Sequence, residues 1–162
     1  MNINLRPITP KDRDFLRQML YLSVFVPPGA APYDRSIVQL PEISKYIDGW
    51  GTKKDDFGII ACISDVPAGA VWARLFGESG KGFGFVDDKT PELVIAIMEG
   101  FRNKGLGKML MEQFFLMAIE RGYRKVSLSV DKINPAFRFY QRLGFVTKGG
   151  TDQSPTMVKV LM

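Results

Sequence analysis

The sequence contains no histidine among its 162 residues. That absence removes the Ser-His-Asp and Cys-His arrangements and every imidazole general base. There is one cysteine, Cys62, inside the apolar run FGIIACIS. A single thiol closes no intrachain disulfide and points to a reducing compartment. Without histidine it also leaves no ordinary zinc ligand set, so no metal is expected. A buried, inert thiol is the plain reading of Cys62. Long apolar runs are missing too. The richest one, MLMEQFFLMAI, is broken by Glu112 and Gln113, short of membrane-spanning length. The first residues, MNINLRPITPKDRDF, lack the apolar centre of a signal peptide. A cytoplasmic protein without membrane contact is the expectation. Dense Lys/Arg blocks are absent, and the aromatics do not alternate with basic residues, which disfavours nucleic acid as a partner. Any chemistry must therefore come from carboxylates, Tyr, Ser/Thr, Lys, water or the backbone.

What is present suits one domain over residues 1–162 with a proper core. Hydrophobic residues make up 46% and charged residues 24%, and 16 glycines with ten prolines imply many turns rather than disorder. The net charge of +5 fits either an anionic partner or a solvated basic surface.

NINLRP alternates as a half-buried strand does. In TPKD, Thr9 is placed to cap a helix, Pro10 suits its first turn, and Asp12 favours its positive end. Leu16, Met19 and Leu20 follow at helical spacing. A second helix is expected from Ser36 to Gly49, broken or restarted at Pro41. FGIIACIS and GAVWARLF read as strands joined by a turn at DVPA. A glycine-rich connection, GESGKGFGFVDDKTP, leads to ELVIAIM, apolar enough for a strand buried on both faces. Next come a helix from about Leu106 to Arg121 stopped by Gly122, the strand KVSLSV, and a short helix opened by Asn134–Pro135 and closed by Gly144. FVTK and MVKVLM read as the last strands.

The segment EGFRNKGLGKML joins a strand to a helix through glycine. The first N–H groups of a helix have no intrahelical partner and carry partial positive charge. Glycine lets a phosphate approach that backbone, and Arg102, Lys104 and Lys108 add full charges. This is not a P-loop, since Met109 follows Lys108 where Ser or Thr would hold magnesium. Nor is it the dinucleotide fingerprint, because GLGKML lacks the third glycine. Gly-x-Gly alone is equally explained by a tight turn with solvated lysines.

The context narrows the choice. RNKGLGKML fits Arg/Gln-x-x-Gly-x-Gly/Ala, and NPAFRFYQRLGF follows downstream. Together they resemble the GNAT family of acyl-CoA-dependent N-acetyltransferases, most sharply from Pro91 to Phe145. The resemblance implies a mixed α/β fold: a mostly antiparallel twisted sheet of six or seven strands flanked by about four helices. It implies acetyl-CoA as co-substrate, a small-molecule or peptide amine as acceptor, and no covalent enzyme intermediate. The pyrophosphate would lie on Arg102, Asn103, Lys104, Gly105, Leu106, Gly107 and Lys108, chiefly on backbone N–H groups. The pantetheine arm would run beside the preceding strand at Ile97, Met98 and Glu99, in a slot that the family opens with a bulge; none is visible in this sequence. Asn134 matches a cofactor-contacting asparagine, although Asn–Pro is a good helix start without any ligand. Tyr140 matches the tyrosine that protonates the leaving thiolate; a packing role beside Phe137 and Leu143 is the alternative. The N–H of Met98 is the expected donor to a tetrahedral oxyanion. Glu92 is the expected base for the amine, with Asp87, Asp88, Glu99 and a water relay as rivals.

Aromatics Tyr33, Trp50, Trp72, Phe76, Phe83 and Phe85 are candidates to line an acceptor pocket or to fill the core. Asp87 and Asp88 are candidates to attract a cationic amine. A silent acyl-CoA-binding regulatory module is the alternative function, and a nucleic-acid binder ranks last. Many relatives dimerise, so a homodimer stays open, although no stretch marks a pairing surface.

Overall fold

A computed structural model describes residues 2–161. Strand β1 (Ile3–Pro7) leads to helix α1 (Arg13–Ser23) through a single 3-10 turn at Pro10–Asp12. Thr9 and Asp12 cap that turn reciprocally, as the sequence indicates. The second helical region is shorter than expected. It is a 3-10 turn at Arg35–Gln39 followed by α2 (Pro41–Ser44) and irregular turns. Pro41 has no N–H to continue the ladder and holds Leu40 extended, with ψ of 132°.

Strands β2 (Phe57–Ile63) and β3 (Val66–Arg74) form a hairpin. Its turn sits on Ser64 and Asp65 rather than at DVPA, and both residues have positive φ, 49° and 67°. Two left-handed residues match the twist of the flanking strands. Then follow β4 (Glu92–Ile97), α3 (Leu106–Glu120), β5 (Lys125–Ser129), α4 (Ala136–Arg142), β6 (Val146–Gly150) and β7 (Pro155–Val160). The expected end of the last strand, Met162, lies outside the described residues, as does Met1.

The seven strands make one sheet in the order β1-β2-β3-β4-β5-β7-β6, with every pairing antiparallel except β4 with β5. Alternation along β2 explains the two-sided core. Phe57, Ile59, Ala61 and Ile63 join the cluster with Leu110, Phe114 and Phe145 on the α3–α4 face. Ile60 and Cys62 join Leu16, Met19 and Trp72 on the α1 face. Cys62 is a buried free thiol, as its surroundings in the sequence suggest.

The sheet is weakest at its centre. β4 pairs with β3 along its whole length, from Arg74–Glu92 to Gly69–Ile97. β4 and β5 share one bridge, Glu92 with Ser127, and then separate. Strand β4 is accordingly not buried throughout: Val94, Ile95 and Ile97 are half-buried.

Candidate active site

The split between β4 and β5 creates two cavities that meet. One, of about 650 Å³, is lined by Ile95, Ile97, Arg102, Gly107, Asn134 and Tyr140, among others. The other, of about 440 Å³, reaches toward α1 and is lined by residues including Tyr46, Phe83, Glu92, Ile95, Asn134 and Tyr140. Ile95, Asn134 and Tyr140 face both, as does the segment after α1 with Val24, Phe25 and Tyr33, so they mark the junction.

The glycine turn stands at the mouth of the first cavity. Gly100, Asn103 and Gly105 take positive φ of 90°, 61° and 83°. The first intrahelical bond of α3 runs from the Met109 N–H to the Gly105 carbonyl at 3.2 Å. The N–H groups of Leu106, Gly107 and Lys108 are therefore the open end of the helix. Arg102 donates from Nε to the Ile97 carbonyl at 3.1 Å, which ties the turn to the end of β4. Arg102, Lys104 and Lys108 are exposed, and Lys108 lies 3.9 Å from Glu112. A cradle of free N–H groups between cationic side chains suits a pyrophosphate.

The strand's own polar groups correct one expectation. The N–H of Met98 donates to the Ala68 carbonyl at 2.8 Å, so it faces β3 and is not a donor to the cavity. Strand alternation assigns Glu92, Val94, Ala96 and Met98 to the β3 side. The opposite side carries the N–H groups of Ile95 and Ile97, beyond the last bridge to β5. The error was one residue, and in a strand one residue reverses the direction of every polar group. Ile95 and Ile97 thus turn their N–H groups, unpaired with β5, toward the slot, while the Ile97 carbonyl is held by Arg102. No bulge in β4 accompanies the opening; the strands simply diverge.

Tyr140 is 8% exposed, and burial alone raises its pKa above the ordinary phenol value. It remains protonated at neutral pH, with its hydroxyl free of any hydrogen bond to the described residues. Asn134 Oδ1 accepts from the Ala136 N–H at 2.9 Å, so its side chain holds the first residue of α4 and forms a cavity wall as well.

Glu92 is 3% exposed at the floor of the second cavity, and burial raises its pKa to about 7. Its Oε2 accepts from the Tyr46 hydroxyl and from the Gly84 N–H, the latter at 3.0 Å. Its Oε1 is buried without a hydrogen-bond partner. Glu99 lines the first cavity instead. Asp87 is occupied elsewhere, accepting from the Thr90 hydroxyl at 2.8 Å and facing Lys125 at 3.3 Å. Asp88 is exposed outside both cavities.

Of the aromatics singled out from the sequence, Phe83 lines the second cavity and Tyr33 lines both. Trp50, Trp72 and Phe76 are buried in the core, and Phe85 packs against it. Sequence reasoning missed Tyr46, which donates to Glu92 and accepts from the Phe83 N–H at 2.7 Å. Its backbone is held from β3: Trp72 Nε1 donates to the Tyr46 carbonyl at 3.0 Å. Arg74 donates to the carbonyls of Lys45 and Asp48 while paired with buried Asp56 at 2.9 Å. A charged pair inside VWAR and KDD was the available signal. Gly84 was missed as well. A Cβ there would stand 2.5 Å from the Leu128 carbonyl carbon, so only glycine lets this connection lie on β5.

The acetyltransferase (GNAT) family model matches residues 23–145. The chain is 35% identical over 79 residues to a mycothiol acetyltransferase of Corynebacterium aurimucosum, a match covering 48% of this chain and 24% of that protein. The chain thus spans about a quarter of that relative's length. Its fold is similar to the PaiA N-acetyltransferase of Thermoplasma acidophilum in complex with coenzyme A, with a TM-score of 0.69, 17% identity and 99% of each chain covered. It is also similar to the ribosomal-protein-S18-alanine N-acetyltransferase of Escherichia coli, with a TM-score of 0.67, 15% identity, and 99% and 94% of the two chains covered.

Proposed function

The chain belongs to the acetyltransferase (GNAT) family, and from that premise we propose that it transfers an acetyl group from acetyl-CoA to a primary amine by direct attack. The single observation that carries this reading is the junction of two cavities at Ile95, Asn134 and Tyr140, between strands that part after one bridge. One cavity ends at an anion cradle and the other at a buried carboxylate, so two reactants would meet at the tyrosine.

The residues fit coenzyme A. The helix N-terminus and its basic residues suit the pyrophosphate, and Ile95 and Ile97 supply ladder groups for the amides of an extended arm. The cofactor supplies an activated acyl thioester. Glu92 accepts the proton that the amine must lose. The N–H of Ile95, at the junction, stabilises negative charge developing on the acyl oxygen. Tyr140 donates its proton to the departing sulfur, so that a C–N bond replaces a C–S bond and the thiol leaves neutral. Holding both reactants at one point contributes up to about 7–11 kcal/mol in favourable cases.

Thermal unfolding with acetyl-CoA, beside ATP and NAD as controls, tests the cofactor assignment. At a hundred times Kd the stabilisation is about 2.7 kcal/mol, or roughly 5–10 °C for a domain of this size. No shift at saturation would remove the assignment. A silent acyl-CoA-binding module would show the shift without thiol release in the presence of any amine.

A further inference from the structure

We propose that the acceptor is an amine without a carboxylate, carrying an apolar body of about aromatic size and bound as a cation on the α1 side of Tyr140. The inference rests on the N-acetyltransferase reading and names the substrate class of its second cavity.

The charges lining that cavity are of one sign. They are Glu92 and Asp131, and no Lys or Arg lines it among the described residues. Lys45 acts electrostatically on Glu92 from outside the lining, where its Nζ donates to the Lys81 carbonyl at 2.6 Å. Arg102 lines the other cavity. An acceptor carboxylate would meet two carboxylates and no cation, and a buried charge without a partner is costly. An ammonium meets the reverse situation. Glu92 Oε1 is buried and lacks a donor, and an amine N–H is such a donor.

The wall decides the rest of the molecule. Toward α1 it is mainly apolar, with Leu20, Val24, Phe25 and Ile43 beside the single hydroxyl of Ser23. At the rim Tyr33 and Phe83 are 42% and 60% exposed. The Phe83 ring lies parallel to that of Tyr46, 6.4 Å away. Aromatic rings at the mouth suit a cation. Uncharged polar groups also line it: Ser129, Gln153 and Ser154 at the β5–β7 end, Tyr46 and Asn134 between, and Ser23 alone from α1. A space of about 440 Å³ accommodates a small molecule rather than a folded partner.

The test is a comparison of kcat/KM, read as thiol release, for 2-phenylethylamine, L-phenylalanine, spermidine and glycylglycine amide. Phenylalanine carries the same ring and amine with one added carboxylate. The expected result is a preference for 2-phenylethylamine over phenylalanine of about 10-fold to 100-fold, and over both apolar-poor amines as well. Phe83→Arg places a cation at the exposed rim and is expected to narrow the phenylalanine gap by about threefold or more. An equal rate with phenylalanine, a preference for spermidine or the dipeptide amide, or an unchanged gap in Phe83→Arg would overturn the inference. So would the absence of acetylation of all four amines by protein that acetyl-CoA still stabilises, with the cofactor assignment left standing. Failure of acetyl-CoA to stabilise the protein would instead remove the reading on which the inference rests.

Discussion

Burial raises the pKa of both residues proposed to handle protons, and because they start from different values it suits them to different proposed duties. Tyr140, raised above the phenol range, keeps its proton at neutral pH, as the proposed acid role requires. Glu92, raised to about 7, is ionised in part at neutral pH. Tyr140→Phe is expected to lower kcat by about a hundredfold or more while leaving the Kd for acetyl-CoA unchanged. Full activity in that variant would place the acid elsewhere. The pH profile tests Glu92. With the carboxylate as the active form in the proposed reaction, kcat/KM should rise with pH through about 7. The Tyr46 hydrogen bond favours the carboxylate, so Tyr46→Phe should move that limb to higher pH, and Glu92→Gln should abolish it. A limb that moves to lower pH in Tyr46→Phe would contradict this coupling.

At the scale of elements, β4 has two unlike edges. The amides of Ala96 and Met98 are on the β3 side, whereas those of Ile95 and Ile97 are on the open side. Hydrogen exchange by NMR should find the first pair protected at all times and the second pair fast. Acetyl-CoA should slow Ile95 and Ile97 selectively; equal protection of all four before its addition would disprove the split. The start of α3 makes a separate prediction. A Cβ at Gly107 would meet only the Phe139 ring at 3.5 Å, so the fold tolerates a side chain there. Gly107→Glu should therefore weaken acetyl-CoA binding through bulk and charge at the anion cradle, with little loss of thermal stability. An unchanged affinity would refute the placement of the pyrophosphate.

At the scale of the molecule, the site exists because the sheet is complete except at its centre. Two apolar clusters on opposite faces hold β2 and β3 rigid, and β4 inherits that rigidity through continuous pairing with β3. Its other edge is free to serve a ligand. The buried carboxylate at the foot of the opening also affects stability. The pKa of Glu92 is higher in the folded protein, about 7, than its ordinary 4.5. The folded state then holds the proton more tightly than the unfolded chain does. The associated stability is fully present below about pH 4.5 and is lost as the pH rises through about 7. Between those values the wild type should lose Tm relative to Glu92→Gln. Parallel curves for the two proteins would show that burial does not perturb this group.

Much of this was legible in the chain itself. The absence of histidine restricted the proton chemistry to groups such as Tyr140 and Glu92. The turn RNKGLG and the Asn134–Pro135 helix start are local features, set by capping and glycine conformation within a few residues. The order of strands and helices followed from hydrophobic period. Other features were out of reach because they depend on residues far apart. Tyr46 and Glu92 are 46 positions apart and meet only after folding. Whether Ile95, Ile97 or Met98 faces the slot is decided by register against β3, which a uniformly apolar strand does not encode. The divergence of β4 from β5 likewise leaves no mark on either strand's sequence. Local physics determined the elements, and long-range pairing decided which of their polar groups were left for a ligand.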